Sequence, residues 1–368
     1  MTTSLRRLAL PGLIATSILA CAPVLAAPPK PDLPPLTAQQ RAEVMQTLAT
    51  KLTANYVFPD VAAQINGALP AKVQAYGAGI PAPEFAEAIS KDLRALGHDK
   101  HFRVFFDPRF REDPAGPNAV PSAEDMQRQR VEVGQMSYGI EKVQRLPGNV
   151  AYVELRGFGP PDLVGPGYAA AMSLVEGSDA LILDLRRNGG GSPTSVALWM
   201  SHFFPLGDER HLNDIYTRNV DQTQQFWTTA AASPRYAKPV YVLTSGRTFS
   251  GGEECAYDFQ TQKRATLVGQ TTGGGANAGD RFSLGHGLVI NIPTARAINP
   301  ITKTNWEGVG VKPDIEAPAA QAQQVAYVAI LKTLVGQTKD PRDAGRLKEL
   351  IALAEKGESP TPVYEMRQ

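Results

Sequence analysis

Cysteine and histidine are scarce in this chain, with two of the first and five of the second in 368 residues. Two thiols cannot build a disulfide framework or a cysteine-rich zinc site. An excess of charge is also missing. Lys and Arg total 37 against 36 Asp and Glu, a formal net charge of +1, which argues against a nucleic-acid partner, since such proteins carry a marked basic surplus. The most apolar stretch, residues 8–19, is interrupted by Pro11 and Gly12 and is too short to cross about 30 Å of hydrocarbon. What the chain does have is 43% hydrophobic and 20% charged residues, enough to bury a core and to exclude disorder of the whole. At roughly 150 residues per domain, the length predicts about two domains. An enzyme and a binding protein remain equally compatible with this composition.

Residues 1–26 read as an export signal. Arg6 and Arg7 supply the basic start, residues 8–19 the apolar stretch, and Val24 and Ala26 the small-residue pattern ahead of a cut before Ala27. The expected product is periplasmic or secreted, with no integral membrane span in the mature chain. Ile18-Leu19-Ala20-Cys21 also resembles a lipoprotein box, so anchoring through Cys21 is an alternative, and Arg6-Arg7 is a partial twin-arginine match. Cleavage would leave Cys255 as the sole thiol. Residues 27–35 are proline-rich and predict an extended tether.

Residues 36–106 read as a small helical domain. Val44, Leu48 and Leu52 fall four apart, as do Phe85, Ile89 and Leu93. Residues 107–142, proline-rich and then charged, read as a linker. Within 143–335 strand and helix signals alternate: 149–155 and 180–185 as strands, 195–204 as a helix, then 239–244 (strand), 252–261 (helix) and 265–269 (strand). That order predicts an α/β core with crossovers. Residues 336–368 read as a C-terminal helix and tail, and the helices over 321–335 and 343–356 as surface elements.

Four segments could carry chemistry. Thr248-Phe249-Ser250-Gly251-Gly252-Glu253-Glu254 lies where a buried strand gives way to a helix. A serine there has its alkoxide near the positive end of the helix dipole, and the glycines let a carbonyl approach the backbone. That is the logic of a nucleophile elbow, although the G-x-S-x-G pattern is absent; the plainer reading is a capping box of Ser250 with Glu253. Arg186-Arg187-Asn188-Gly189-Gly190-Gly191 leaves successive N–H groups free for an anion or a developing oxyanion, or is a tight turn. No Gly-Lys-Ser/Thr follows, which excludes a nucleoside triphosphate loop. Asp99-Lys100-His101 offers one imidazole. His98 and His101 have no cluster of acidic partners nearby in sequence, so no metal or other cofactor is expected. Finally, Glu307 in Asn305-Trp306-Glu307-Gly308-Val309-Gly310 reads locally as a solvated carboxylate.

Taken together over residues 40–330, these segments resemble the carboxyl-terminal processing (tail-specific) serine peptidases. The similarity is greatest to the branch shared with interphotoreceptor retinoid-binding protein and the tricorn core. Asn55-Tyr56-Val57-Phe58-Pro59-Asp60 and Val268-Gly269-Gln270-Thr271-Thr272-Gly273-Gly274-Gly275 belong to the same signature. The resemblance implies a mixed α/β core of the ClpP/crotonase β-β-α superhelical kind behind the small helical domain. It implies Ser250 as nucleophile, His101 as base and Glu307 as the group that orients the imidazole, directly or through an intervening group. Gly251 and a glycine among Gly189, Gly190 and Gly191 would give the oxyanion-hole N–H groups. Two departures matter. The position of the general-base lysine of processing peptidases is Gly275 here, which excludes a Ser–Lys dyad. The stretch between Asp107 and Val143 is also too short for a PDZ insert, which puts selection of C-terminal tails in doubt. The expected activity is that of a serine endopeptidase acting on peptides or proteins, with a homo-oligomer left open. The alternative is a non-catalytic binder of a hydrophobic ligand or peptide on the same fold.

Overall fold

A computed structural model describes residues 35–77, 79–112 and 122–358; the stretch read as an export signal, Cys21 and most of the stretch read as a tether lie outside them. Three helices come first, α1 (Ala38–Asn55), α2 (Pro59–Gln74) and α3 (Ala82–Gly97), followed by β1 (Arg103–Phe106) and α4 (Ala123–Gln135). The chain continues through β2 (Ile140–Leu146), β3 (Val150–Leu155), α5 (Pro161–Val175), β4 (Ala180–Asp184), α6 (Pro193–Ser201), β5 (His211–Thr217) and β6 (Gln222–Trp227). Next are β7 (Val240–Thr244), α7 (Gly251–Thr261), β8 (Thr266–Gly269), β9 (Gly279–Gly285), β10 (Leu288–Pro293) and β11 (Ala295–Ile298). It closes with β12 (Ile315–Glu316), α8 (Ala322–Gln337) and α9 (Pro341–Glu355).

The expected α/β core is present as a six-stranded sheet in the order β12-β8-β7-β4-β3-β2. All its pairings are parallel except that of β2 with β3. A parallel sheet covered on both faces needs continuously apolar strands, and every residue of β3 and β4 is buried. Alternation along the strands sorts their side chains. Val153, Leu155, Leu181, Leu183 and Val242 pack on α5, α6 and α7, whereas Tyr152, Ile182, Leu243 and Val268 pack beneath α8 and α9.

Three features depart from the local reading. Within the stretch read as a linker, α4 is capped by Ser122, whose side chain accepts from the Asp125 N–H. The helix α8 is no surface element, because Ala322, Ala326, Tyr327, Ile330 and Leu331 form a stripe buried against the sheet. The N-terminal helices do not make a core alone. Val44, Leu48, Ile65, Phe85 and Ile89 share one cluster with Leu284, Leu288, Ile290 and Ile292 of β9 and β10, and β1 pairs antiparallel with β10. A distant part of the chain therefore completes the helical unit and brings residues 99–101 against the core.

Candidate active site

The segment from β7 to α7 is fastened to the turn after β4. Ser245 Oγ donates to the Arg186 carbonyl at 2.6 Å, Thr248 Oγ1 to the Leu185 carbonyl at 2.8 Å, and the Phe249 N–H to the Asn188 carbonyl at 3.0 Å. Ser250 follows with φ 52° and ψ −122°. A residue with a Cβ rarely adopts that conformation, and holding it costs about 1–3 kcal/mol, which the surrounding bonds must offset. A strained turn between a strand and a helix is also the local setting of a nucleophile elbow.

Opposite Ser250 run the glycines of the β4 turn, with Gly190 at φ 98° and Gly191 at φ 139°. A Cβ at Gly190 would lie 2.8 Å from the Gly251 nitrogen, and one at Gly251 would lie 3.0 Å from the Gly191 nitrogen. Only glycine allows that approach. The N–H groups of this turn are not equivalent. Gly189 donates to the Arg156 carbonyl at 3.2 Å and Gly190 to Asn188 Oδ1 at 2.8 Å. Those of Gly191 and Gly251 are unspent among the described residues. Asn188, fully buried, holds the turn by donating from Nδ2 to the Leu155 carbonyl at 3.0 Å.

Glu253 is fully buried and ties a third segment to Ser250. Its Oε2 accepts from the N–H groups of Ser250 (2.9 Å) and Gly275 (2.8 Å), and its Oε1 from Thr272 Oγ1 (2.5 Å) and the Gly274 N–H (2.6 Å). Burial holds the carboxyl above its usual range, while those bonds pull it down. The capping reading found only the bond to Ser250; a sequence offers no sign that Glu253 also reaches residues 272–275.

His101, Asp99 and Glu307 meet in space. Each places a ligand-type atom within 4.8 Å of the others, and His101 Nδ1 stands 3.7 Å from Asp99 Oδ1. Asp99, read from the sequence only as a neighbour of His101, is buried and accepts from the His101 N–H (2.9 Å), Asn277 Nδ2 (2.9 Å) and the Tyr56 hydroxyl (3.4 Å). Glu307 Oε2 accepts from the N–H groups of Ala276 (2.5 Å) and Asn277 (3.1 Å), and its Oε1 is buried without a partner. Glu307 is therefore not the solvated carboxylate that its local sequence suggests. Its carboxyl is pushed up to about 7, chiefly by burial and then by the negative charge of Asp99. Both ring nitrogens of His101 are buried and unbonded, and the ring lies against Phe249, with centroids 4.7 Å apart. Phe249 immediately precedes Ser250 in the chain, and no hydrogen bond joins the imidazole to the serine. The three groups could together hold a divalent cation, but their chemistry equally suits moving a proton.

Gly275 is the residue at which the resemblance would place a lysine base. A Cβ there would press into the Phe249 ring and lie 2.8 Å from His101 Cε1. The space a longer side chain would need is taken first by the Phe249 ring and then by His101.

Residues 149–317 match the model of peptidase family S41. The chain is 27% identical over 230 residues to a carboxyl-terminal-processing protease of Synechocystis, a match that covers 59% of this chain and 51% of that protein. It is 28% identical over 182 residues to the chloroplastic carboxyl-terminal-processing peptidase 1 of Arabidopsis thaliana, covering 49% of this chain and 36% of that one. The chain thus spans about half or less of the length of these relatives. Among solved structures, mature CPAF complexed with lactacystin superposes with a TM-score of 0.53 at 11% identity, over 87% of this chain and all of that one. That likeness speaks for the fold.

Proposed function

We propose that the protein is a serine endopeptidase using Ser250 as nucleophile, His101 as general base and Glu307 as the group orienting the imidazole, a reading supported by the match of residues 149–317 to peptidase family S41. The observation that carries this is the pairing of a strained Ser250 with two unspent N–H groups, those of Gly191 and Gly251, across the gap that only glycine permits.

The Ser250 oxygen attacks the carbonyl carbon of a peptide bond while His101 takes its proton. The tetrahedral intermediate places its oxyanion on Gly191 and Gly251. On collapse the C–N bond breaks, His101 returns the proton to the leaving amine, and water hydrolyses the acyl-enzyme by the same steps in reverse. Each oxyanion donor is worth about 2.7–4 kcal/mol in the transition state. The Ser250–His101 hydrogen bond forms when the imidazole swings from its packing on Phe249, a tightening that substrate commonly brings about. A negative Glu307 stabilises the imidazolium. A protein that only binds an apolar ligand has no use for a strained serine and a vacant pair of donors.

The signal at residues 1–26 supports action outside the cytoplasm, periplasmic or secreted. No helix among the described residues is long and apolar enough to cross a membrane. The test is cleavage of casein by the protein lacking residues 1–26, with products identified by mass spectrometry. Internal cleavages that vanish in Ser250→Ala and fall at least 100-fold in His101→Ala are expected. Undiminished cleavage by Ser250→Ala would overturn the assignment, and the absence of any cleavage would favour the binder.

A further inference from the structure

Beside the nucleophile lies a cavity of about 740 Å³ lined by Arg94, Ala95, His98, Lys100, Phe249 and Gly308. Three of its lining residues are chain neighbours of the site, since Lys100 precedes His101, Phe249 precedes Ser250 and Gly308 follows Glu307, and the Phe249 ring packs on that of His101. Its charge is one-sided, because none of those lining residues is acidic. Arg94 Nη1 donates to the Phe102 carbonyl at 3.2 Å and Lys100 Nζ donates to the Gly273 carbonyl. Bonds to neutral carbonyls fix both head groups without cancelling their charge, and each keeps further donors for a ligand. The acids of the site, Asp99 and Glu307, do not line the cavity. Asp99 accepts from His101, Asn277 and Tyr56, and Glu307 Oε2 from Ala276 and Asn277.

We propose, resting on the peptidase reading, that this cavity is a subsite for a carboxylate of the substrate peptide, held by Arg94 and Lys100 close to the scissile bond. An acidic side chain and a free C-terminus share that chemistry. Two cations side by side raise the positive potential over this open depression, and a guanidinium matches a carboxylate in geometry as well as charge.

The test is fluorescence anisotropy of labelled peptides on Ser250→Ala protein, which binds without cleaving. One set compares a peptide containing Glu with its Gln counterpart, and another compares each free acid with its C-terminal amide. About tenfold tighter binding of the acidic member, or about 1.4 kcal/mol, is expected near 0.1 M salt, shrinking toward twofold near 1 M as the charges are screened. Added substitutions Arg94→Gln and Lys100→Gln should each reduce the preference to about threefold and leave the neutral peptide's Kd within about twofold. Arg94→Lys should restore most of it. A preference for Glu over Gln assigns the side chain, and one for acid over amide assigns the C-terminus. Equal affinity throughout, or a preference that survives both Gln substitutions, would overturn the inference. Hydrolysis of the neutral peptide by the unmodified protein with no acidic preference would sink this inference alone. Acidic preference with no hydrolysis of any peptide would sink the peptidase reading and leave the subsite standing.

Discussion

Replacing Glu253 by Gln changes almost no volume, yet it should damage both stability and activity. The reason is that both carboxylate oxygens face donors only, two on each side. An amide must aim its NH2 at one of those pairs. Facing Ser250 and Gly275, it would oppose two backbone N–H groups. Facing Thr272 and Gly274, it opposes one, because the Thr272 hydroxyl can turn and accept. The second orientation is cheaper and leaves one buried N–H without a partner, at about 1–3 kcal/mol. The loss of charge from the remaining bonds adds to that. We therefore expect Glu253→Gln to lower the unfolding free energy by about 2–4 kcal/mol in a urea titration with an unchanged m-value. Peptidase activity should fall with it, since Ser250 loses the anchor that holds its strained backbone. Glu253→Ala strands all four donors and is expected to abolish folding. A Glu253→Gln protein within about 0.5 kcal/mol of the wild type and fully active would refute the view that this carboxylate holds the nucleophile in place.

Gly275→Ala should cut kcat/KM at least 100-fold, because its Cβ enters the space of Phe249 and His101; a wild-type rate would mean that the two rings yield freely. The Glu307 carboxyl titrates near 7 in the folded chain against an ordinary 4.5. The folded state therefore holds that proton more tightly, and Glu307 contributes stability at low pH that is lost as pH rises from about 4.5 through about 7. Glu307→Gln should flatten that part of the Tm profile between pH 5 and pH 8, and an unchanged slope would contradict the assignment. Cys255 is fully buried, and burial pushes its thiol well up. It should resist alkylation by iodoacetamide in the native protein and react at once in urea; rapid native labelling would show that the core beneath α7 opens.

How far the sequence could be read depended on the range of the interactions involved. The strands β3 and β4 declare themselves through apolar runs, and the helix α7 through the glycines at its start, and with them came Ser250 and the neighbouring glycines as candidates. The helix α5 does not, because Gly165, Pro166 and Gly167 lie inside it and say loop. Burial of Val164, Tyr168, Ala171, Met172 and Val175 on the sheet outweighs those local preferences. The dependence of the N-terminal helices on β9 and β10 was hidden for a related reason, since nothing in residues 36–106 shows that their apolar face is too large for themselves. The same holds in the site. His101 and Glu307 are each unremarkable in their own segments, and the resemblance, not the local chemistry, linked them. Asp99 as the buried acid beside the imidazole, and Phe249 as its cover, arise from contacts between distant segments and had no local signature.

The central claim is that Ser250 is a nucleophile activated by His101. It is tested most directly by reacting the folded protein with a fluorophosphonate and mapping the adduct by mass spectrometry. The account predicts one adduct per chain on Ser250, none in Ser250→Ala, and labelling slowed at least 100-fold in His101→Ala. An adduct on another residue, or labelling that persists in Ser250→Ala, would contradict it.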